Sequence, residues 1–174
     1  MQTTVQNIKN VKNNIKILPH LIADRLKEQN LSIGVAESCT GGYISHLITS
    51  LEGSSEYFKG GIIAYSNEIK IKILQVEEQI IDKYGTVSKE VVTQMAKNLL
   101  LIENVDYSIA VSGIAGTRGG SAKKPVGTVW ISVADKNQTK AECFSFLGDR
   151  ELVIKQASMS ALQMLYSYMM MSEE

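Results

Sequence analysis

Cysteine and histidine are both scarce in this 174-residue chain, at two each. Two cysteines, Cys39 and Cys143, are too few for a secreted disulfide framework. His20 and His46, with those cysteines, make no cluster of zinc-ligand spacing. An excess of either charge is also missing: 18 Lys and Arg balance 18 Asp and Glu. That balance argues against a protein held on nucleic acid by phosphate neutralisation. There is no long apolar run at the N-terminus of the kind a signal peptide carries. The least charged long stretch, Gln156 to Ser172, is interspersed with Gln, Ser and Tyr and reads as a packed helix, not a membrane span. These absences point to a soluble, cytoplasmic protein.

What is present is ordinary globular composition, 44% apolar and 21% charged. A chain of this length buries about two-thirds of its unfolded surface and needs no staple. Residues 1–17 stand apart. They are rich in Asn and Gln and have no acid, yet Val5, Ile8, Val11 and Ile15 keep helical spacing. They read as an amphipathic arm, loosely docked or contacting a partner. The domain proper runs over 18–172, with no internal repeat and no linker.

Pro19 suits the first turn of a helix reaching Gln29. Leu31 to Ala36 reads as a buried strand. A Gly-rich turn, Glu37-Ser38-Cys39-Thr40-Gly41-Gly42, follows it, then a helical pattern over Ile44, Leu47, Ile48 and Leu51. Gly60 to Tyr65 is a second strand. Asn67 to Leu74 and Glu77 to Tyr84 are short helices. Ser88 is placed to cap a longer helix burying Val91, Val92, Met95, Ala96, Leu99 and Leu100. Asp106 to Ser112 is a third strand. Gly127 to Ala134 and Ala141 to Leu147 form a hairpin turning at Asp135 to Gln138, and Asp149 caps a last helix. The order predicts a single α/β domain, a mixed β-sheet flanked by helices on its faces.

Two loops carry chemistry-bearing residues. At a strand-to-helix turn, a hydroxyl sits near unpaired backbone N–H groups able to hold an anion or a developing oxyanion. Ser38 is therefore a candidate nucleophile, and Gly41 and Gly42 admit a ligand to the backbone. The alternative is that Ser38 and Thr40 only cap the helix. A serine nucleophile needs a base. His46 lies inside the following helix and reads as an ordinary histidine, so the remaining base is a lysine. Its pKa must fall from about 10.4 to roughly 7–8, about 3–5 kcal/mol. Lys59, Lys70 and Lys72 are the candidates, and spacing does not choose among them. Tyr65 closes the second strand at the edge where sheet ligands sit. The second loop, Gly113 to Gly120 with Lys123 and Lys124 following, is either a phosphate cradle or a flexible turn. It lacks the Gly-Lys-Ser/Thr ending of a Walker loop. Arg150 opens the last helix and suits a phosphate or carboxylate.

Together, Ala36-Glu37-Ser38-Cys39-Thr40-Gly41-Gly42, the run Gly61 to Lys70, Tyr84-Gly85-Thr86-Val87-Ser88, Ser112-Gly113-Ile114-Ala115-Gly116, Lys124 to Val129 and Gly148-Asp149-Arg150 resemble the CinA C-terminal domain family, in family order, across residues 18–170. The resemblance implies a nicotinamide-nucleotide amidase. It would turn nicotinamide mononucleotide (NMN) into nicotinic acid mononucleotide and ammonia. It places the nucleophile on Ser38, with Tyr65 and Lys70 as its assistants. It also puts substrate contacts on Thr40, Gly41, Gly42, Ser112, Gly113, Gly116 and Arg150. It further implies a homodimer with no cofactor and no metal, whose partner is a small nucleotide and neither nucleic acid nor membrane. Thr117-Arg118 departs from the family's usual Pro then Gly. The expected route takes the Ser38 proton to Lys70 directly or through Tyr65, with oxyanion donors near Thr40 to Gly42. A non-catalytic nucleotide-binding module, and an amidase for another amide, are the competing readings.

Overall fold

The first strand shows how the sheet divides its side chains. In β1 (Ile33–Glu37) large and small residues alternate: Ile33 and Val35 face one way, Gly34 and Ala36 the other. All five residues are buried, as in a central strand covered on both faces. Strand β3 (Tyr107–Gly113) repeats the scheme, with Tyr107, Ile109 and Val111 on one face and Ser108, Ala110 and Ser112 on the other. The computed structural model describes residues 17–116 and 119–171, so the arm expected over 1–17 lies almost wholly outside the described residues, as does Thr117-Arg118.

Helix α1, described over 17–28, leads into β1. Then come α2 (Tyr43–Thr49), a 3-10 turn (Ser54–Glu56), β2 (Phe58–Ile63), α3 (Asn67–Lys72), α4 (Glu78–Tyr84) and α5 (Lys89–Glu103). After β3 the hairpin β4 (Thr128–Ala134) and β5 (Thr139–Ser145) precedes α6 (Arg150–Met171). The sheet order is β2-β1-β3-β4-β5. β2, β1 and β3 are parallel, while β4 and β5 are antiparallel to their neighbours. This is the mixed sheet expected, with helices on both faces.

Two cores result. Leu26, Ile44, Leu47, Ile48, Leu162 and Leu165 from α1, α2 and α6 pack on the large-residue face. Val92, Met95, Ala96 and Leu99 of α5, with Leu74 and Ile81, pack on the small-residue face. The chain leaves β1 for β2 through α2, and returns to β3 through α3–α5 on the opposite face. The carboxyl ends of β1 and β3 thus border a switch point, where open α/β sheets bind ligands.

Three helix starts are capped by side chains, those of Ser88 and Asp149 as expected from the sequence and that of Ser66 in addition. Ser66 accepts from the Ile69 amide, Ser88 from the Val91 amide and Asp149 from the Leu152 amide. The hairpin turn is closed by Asp135, whose carboxylate accepts from the Asn137 and Gln138 amides. Strand limits move by one or two residues from the sequence expectation. The consequential shift is in β2, which ends at Ile63, leaving Tyr65 in the following loop. Ser88→Ala should lower stability by about 1 kcal/mol through the lost cap. A urea midpoint that falls with an unchanged slope would show it.

Candidate active site

Parity along β1 continues one residue past its end. Glu37 falls on the large-residue face with Ile33 and Val35, and Ser38 falls on the α3 side. Ser38 is held there by its amide, which donates to the Val111 carbonyl at 3.1 Å. Its hydroxyl oxygen lies 3.1 Å from the Lys70 Nζ. Lys70 is 0% exposed, and Nζ also donates to the Ala64 carbonyl at 2.6 Å. Lys59 and Lys72 are exposed, and Lys72 pairs with Glu68. The geometry thus selects one of the three candidate lysines.

Burial lowers the Lys70 pKa to about 8. The opposing influence is a thiolate at Cys39. That thiolate is missing at neutral pH, because burial, with help from the Glu37 carboxylate, pushes the Cys39 thiol up to about 12. A cysteine beside a helix start is ordinarily made more acidic. Here it stays a thiol, and Ser38 faces the amine instead.

Lys70 is positioned by a brace that runs back to the sheet. The Ser112 hydroxyl on β3 donates to the Thr86 carbonyl at 2.9 Å. The Thr86 hydroxyl in turn donates to the Asn67 side-chain oxygen at 2.7 Å, in the first turn of α3. Ser112 is itself fully buried. It therefore supports the helix that carries Lys70.

The Gly-rich turn also differs from expectation. The Gly41 amide donates to the Ser38 carbonyl, and the Gly42 amide to Glu37 at 3.0 Å. Glu37 also accepts from the Ile44 and Ser45 amides at 3.1 and 2.8 Å and from the Ser45 hydroxyl at 2.7 Å. The start of α2 is thus occupied by the protein's own carboxylate, and Gly41 and Gly42 have no N–H left for an oxyanion. Among the described residues, the Thr40 amide has no acceptor and the Cys39 amide has none beyond its own sulfur. Thr40 caps nothing, since its buried hydroxyl has no partner. Gly41 and Gly42 keep a conformational role, with φ of 61° and 99°. A cavity of about 420 Å³ opens beside the turn, between Thr40–Tyr43 with His46 and the α6 residues Glu151, Ile154 and Lys155.

Tyr65 is 60% exposed, and its hydroxyl accepts from Arg150 Nη2 at 2.8 Å. It is bound to Arg150 and is not interposed between Ser38 and Lys70, which touch directly. Arg150 Nη1 sits 2.8 Å from where a Cβ on Gly116 would stand. Gly113 has the same kind of constraint, pressed between Val129 and the Cys39 sulfur. Glycine at both places makes room for neighbouring side chains. His46 is exposed and its ring lies 6.1 Å from that of Tyr43, as expected of an ordinary histidine. Sequence reasoning missed the Glu37 contacts. The signal available was its parity with Ile33 and Val35. Among the described residues, no group of three His, Cys, Asp or Glu side chains is arranged to hold a metal. No described helix is long and apolar enough to cross a membrane.

These features define an α/β protein with a buried serine–lysine pair at the switch point of its sheet. The chain belongs to the CinA C-terminal domain family, whose model matches residues 15–169. It is 43% identical over 152 residues to an Escherichia coli K12 protein named nicotinamide-nucleotide amidohydrolase PncC, covering 86% of this chain and 91% of that one. It is 44% identical over 150 residues to a CinA-like protein of Fervidobacterium nodosum, but spans only 37% of that protein's length. Among solved structures, the competence/damage inducible protein CihA of Agrobacterium tumefaciens superposes with a TM-score of 0.87 at 32% identity, over 88% of this chain and 94% of that one.

A lysine whose folded-state pKa is lowered holds its proton less tightly than in the unfolded chain. Between pH of about 8 and the ordinary lysine range, the unfolded chain carries more protons, so stability rises with pH there. The stability of wild type minus that of Lys70→Met should therefore be flat below pH of about 7 and climb from about 8 to 10. Urea unfolding of both proteins across that range checks it. A flat difference throughout would mean that Lys70 is not desolvated.

Proposed function

We propose that this protein hydrolyses the carboxamide of NMN to a carboxylate and ammonia, with Ser38 as nucleophile and Lys70 as its base. The observation that carries the reading is the 3.1 Å contact of the Ser38 hydroxyl with a lysine shut away from water. The PncC name of a relative matched over nearly its whole length supports the substrate.

At neutral pH about a tenth of Lys70 is the free amine, against about one in three thousand for an ordinary lysine. The neutral amine keeps one N–H on the Ala64 carbonyl and turns its lone pair to the Ser38 hydroxyl. Ser38 Oγ bonds to the carboxamide carbon as Lys70 takes the hydroxyl proton. The Cys39 and Thr40 amides receive the oxyanion. As the C–N bond breaks, Lys70 returns the proton and ammonia leaves. Water then adds to the acyl ester, its proton going to Lys70 and on to the Ser38 oxygen as the acid departs. Arg150 exchanges the Tyr65 hydroxyl for the anionic part of the nucleotide, beside Gly113 and Gly116. In the same reading residues 18–172 form the catalytic domain, 1–17 an arm, and the protein works as a homodimer in the cytoplasm on a small nucleotide.

The purified protein should release ammonia from NMN, and Ser38→Ala should reduce release to background. Lys70→Arg should lower kcat by about 10²–10⁴-fold, because arginine does not give up its proton. kcat/KM of wild type should rise with pH through about 8. A thermal shift with NMN but no ammonia would favour a binding module. A folded, fully active arginine variant would remove Lys70 from the chemistry.

A further inference from the structure

Glu37 and Lys70 are the two fully buried charged side chains among the described residues. They flank Ser38 from opposite faces of the sheet. Lys70 is already in the mechanism and Glu37 is not. Glu37 is paired through its backbone with both β2 and β3, opposite Ile63 and Val111, so it is anchored at the centre of a rigid sheet. From there its carboxylate takes three amides and a hydroxyl, all within 3.1 Å, from residues 42–45. No Lys or Arg forms an ion pair with it among the described residues.

Helix capping alone does not account for this arrangement. Elsewhere in this chain Ser66, Ser88 and Asp149 cap their helices locally with short side chains: Ser66 and Asp149 are exposed, and Ser88 is a buried but uncharged hydroxyl. A buried carboxylate reaching from a strand end is a costlier device for the same end. It does something that a local cap would not. It closes a loop around the nucleophile. The Ser38 amide is held by Val111 on one side, and the Gly42 amide is held by Glu37 on the other. Only residues 38–41 lie between these two fixed points, and Gly41 and Gly42 take the positive φ that the short path demands.

We propose that Glu37 is the positioning residue of this site: by holding the start of α2 it fixes the Ser38–Gly41 turn so that the Ser38 hydroxyl meets Lys70 and the Cys39 and Thr40 amides point free for an oxyanion. The proposal rests on the serine–lysine reading above. It also gives Glu37 a second effect. The pole of α2 is already filled by an anion, so it neither binds the substrate's phosphate nor favours a thiolate at Cys39.

The decisive variant is Glu37→Gln. Whichever way the amide is turned, its NH₂ faces backbone N–H donors, those of Gly42 and Ile44 or that of Ser45, and their bonds are lost, although the Ser45 hydroxyl can turn to accept. In protein shown to be folded by near-ultraviolet circular dichroism, kcat for ammonia release from NMN should fall by about 10²-fold or more, with KM within about threefold of wild type. The rate at which a fluorophosphonate labels Ser38 should fall in parallel. The alkaline rise of kcat/KM should keep its midpoint, because Lys70 is untouched. A merely structural role would lower the melting temperature and leave kcat and labelling of the folded protein as they were. That result overturns the proposal. Should Glu37→Gln not fold, Ser45→Ala removes one donor only, and wild-type kcat and labelling in that variant would overturn it equally. Wild type that is labelled at Ser38 but releases no ammonia sinks the NMN reading and leaves the labelling comparison to decide on Glu37. Wild type that does neither overturns both.

Discussion

An amine enclosed by protein holds its proton weakly because the charge has lost its water, and the site described above is arranged around that fact. Lys70 lies beneath the loop after β2, with the Ala64 carbonyl and the Ser38 hydroxyl as the partners of its nitrogen. Among the described residues no carboxylate pairs with it to hold the proton on. A lysine with an ion-pair partner would be no base near neutrality, and a lysine in water would be no better. Burial without a counter-ion is one way to obtain an amine of this strength, and the fold supplies it through a half-buried strand, a tight loop and a six-residue helix.

The two buried charges keep apart because a β-sheet separates consecutive side chains. Glu37 and Ser38 are neighbours in sequence, yet they address different layers, the first α2 and the second α3. Had the register slipped by one residue, the carboxylate would lie against Lys70 and neutralise it as a salt bridge. The alternation of Ile33, Gly34, Val35 and Ala36 fixes that register. Large side chains fit the α1–α2–α6 layer and small ones admit α5. The separation of the two buried charges is thus inherited from ordinary core packing.

The same parity marks where the sequence was readable and where it was not. Element order, the Ser88 and Asp149 caps and the hairpin turn follow from periodicity and short-range chemistry, and they agree with the structure. Ser38 and Lys70 come together as the family pattern implies, although spacing alone did not separate Lys70 from Lys59 and Lys72. Facing and occupancy were less legible. Ser112 lies in a motif beside the site but points into the small-residue layer. The amides of Gly41 and Gly42 stand where an anion is expected, but the first is taken by the Ser38 carbonyl and the second by the Glu37 carboxylate. Tyr65 lies two residues beyond its strand and turns to Arg150, 85 positions away in sequence. The Ser112 and Tyr65 differences depend on partners 26 and 85 positions away, which local spacing does not encode, whereas the Glu37 contacts lie within eight residues and depend on which face of the sheet its side chain takes.

Helix α3 is too short to persist by itself. It is held by Asn67 through Thr86, and by Ile69 and Ile71 against the cluster that contains Leu74, Val76 and Met95. Asn98 on α5 also ties down the carbonyls of Leu74 and Gln75 just after it. Every opening of that layer lets water reach Lys70 and returns it to an ordinary, protonated lysine. Looseness in the core is therefore felt at the nitrogen as proton affinity. A methyl group removed from Leu74 or Met95, with no contact to any substrate, would move the pH at which the protein works before it visibly changed the fold.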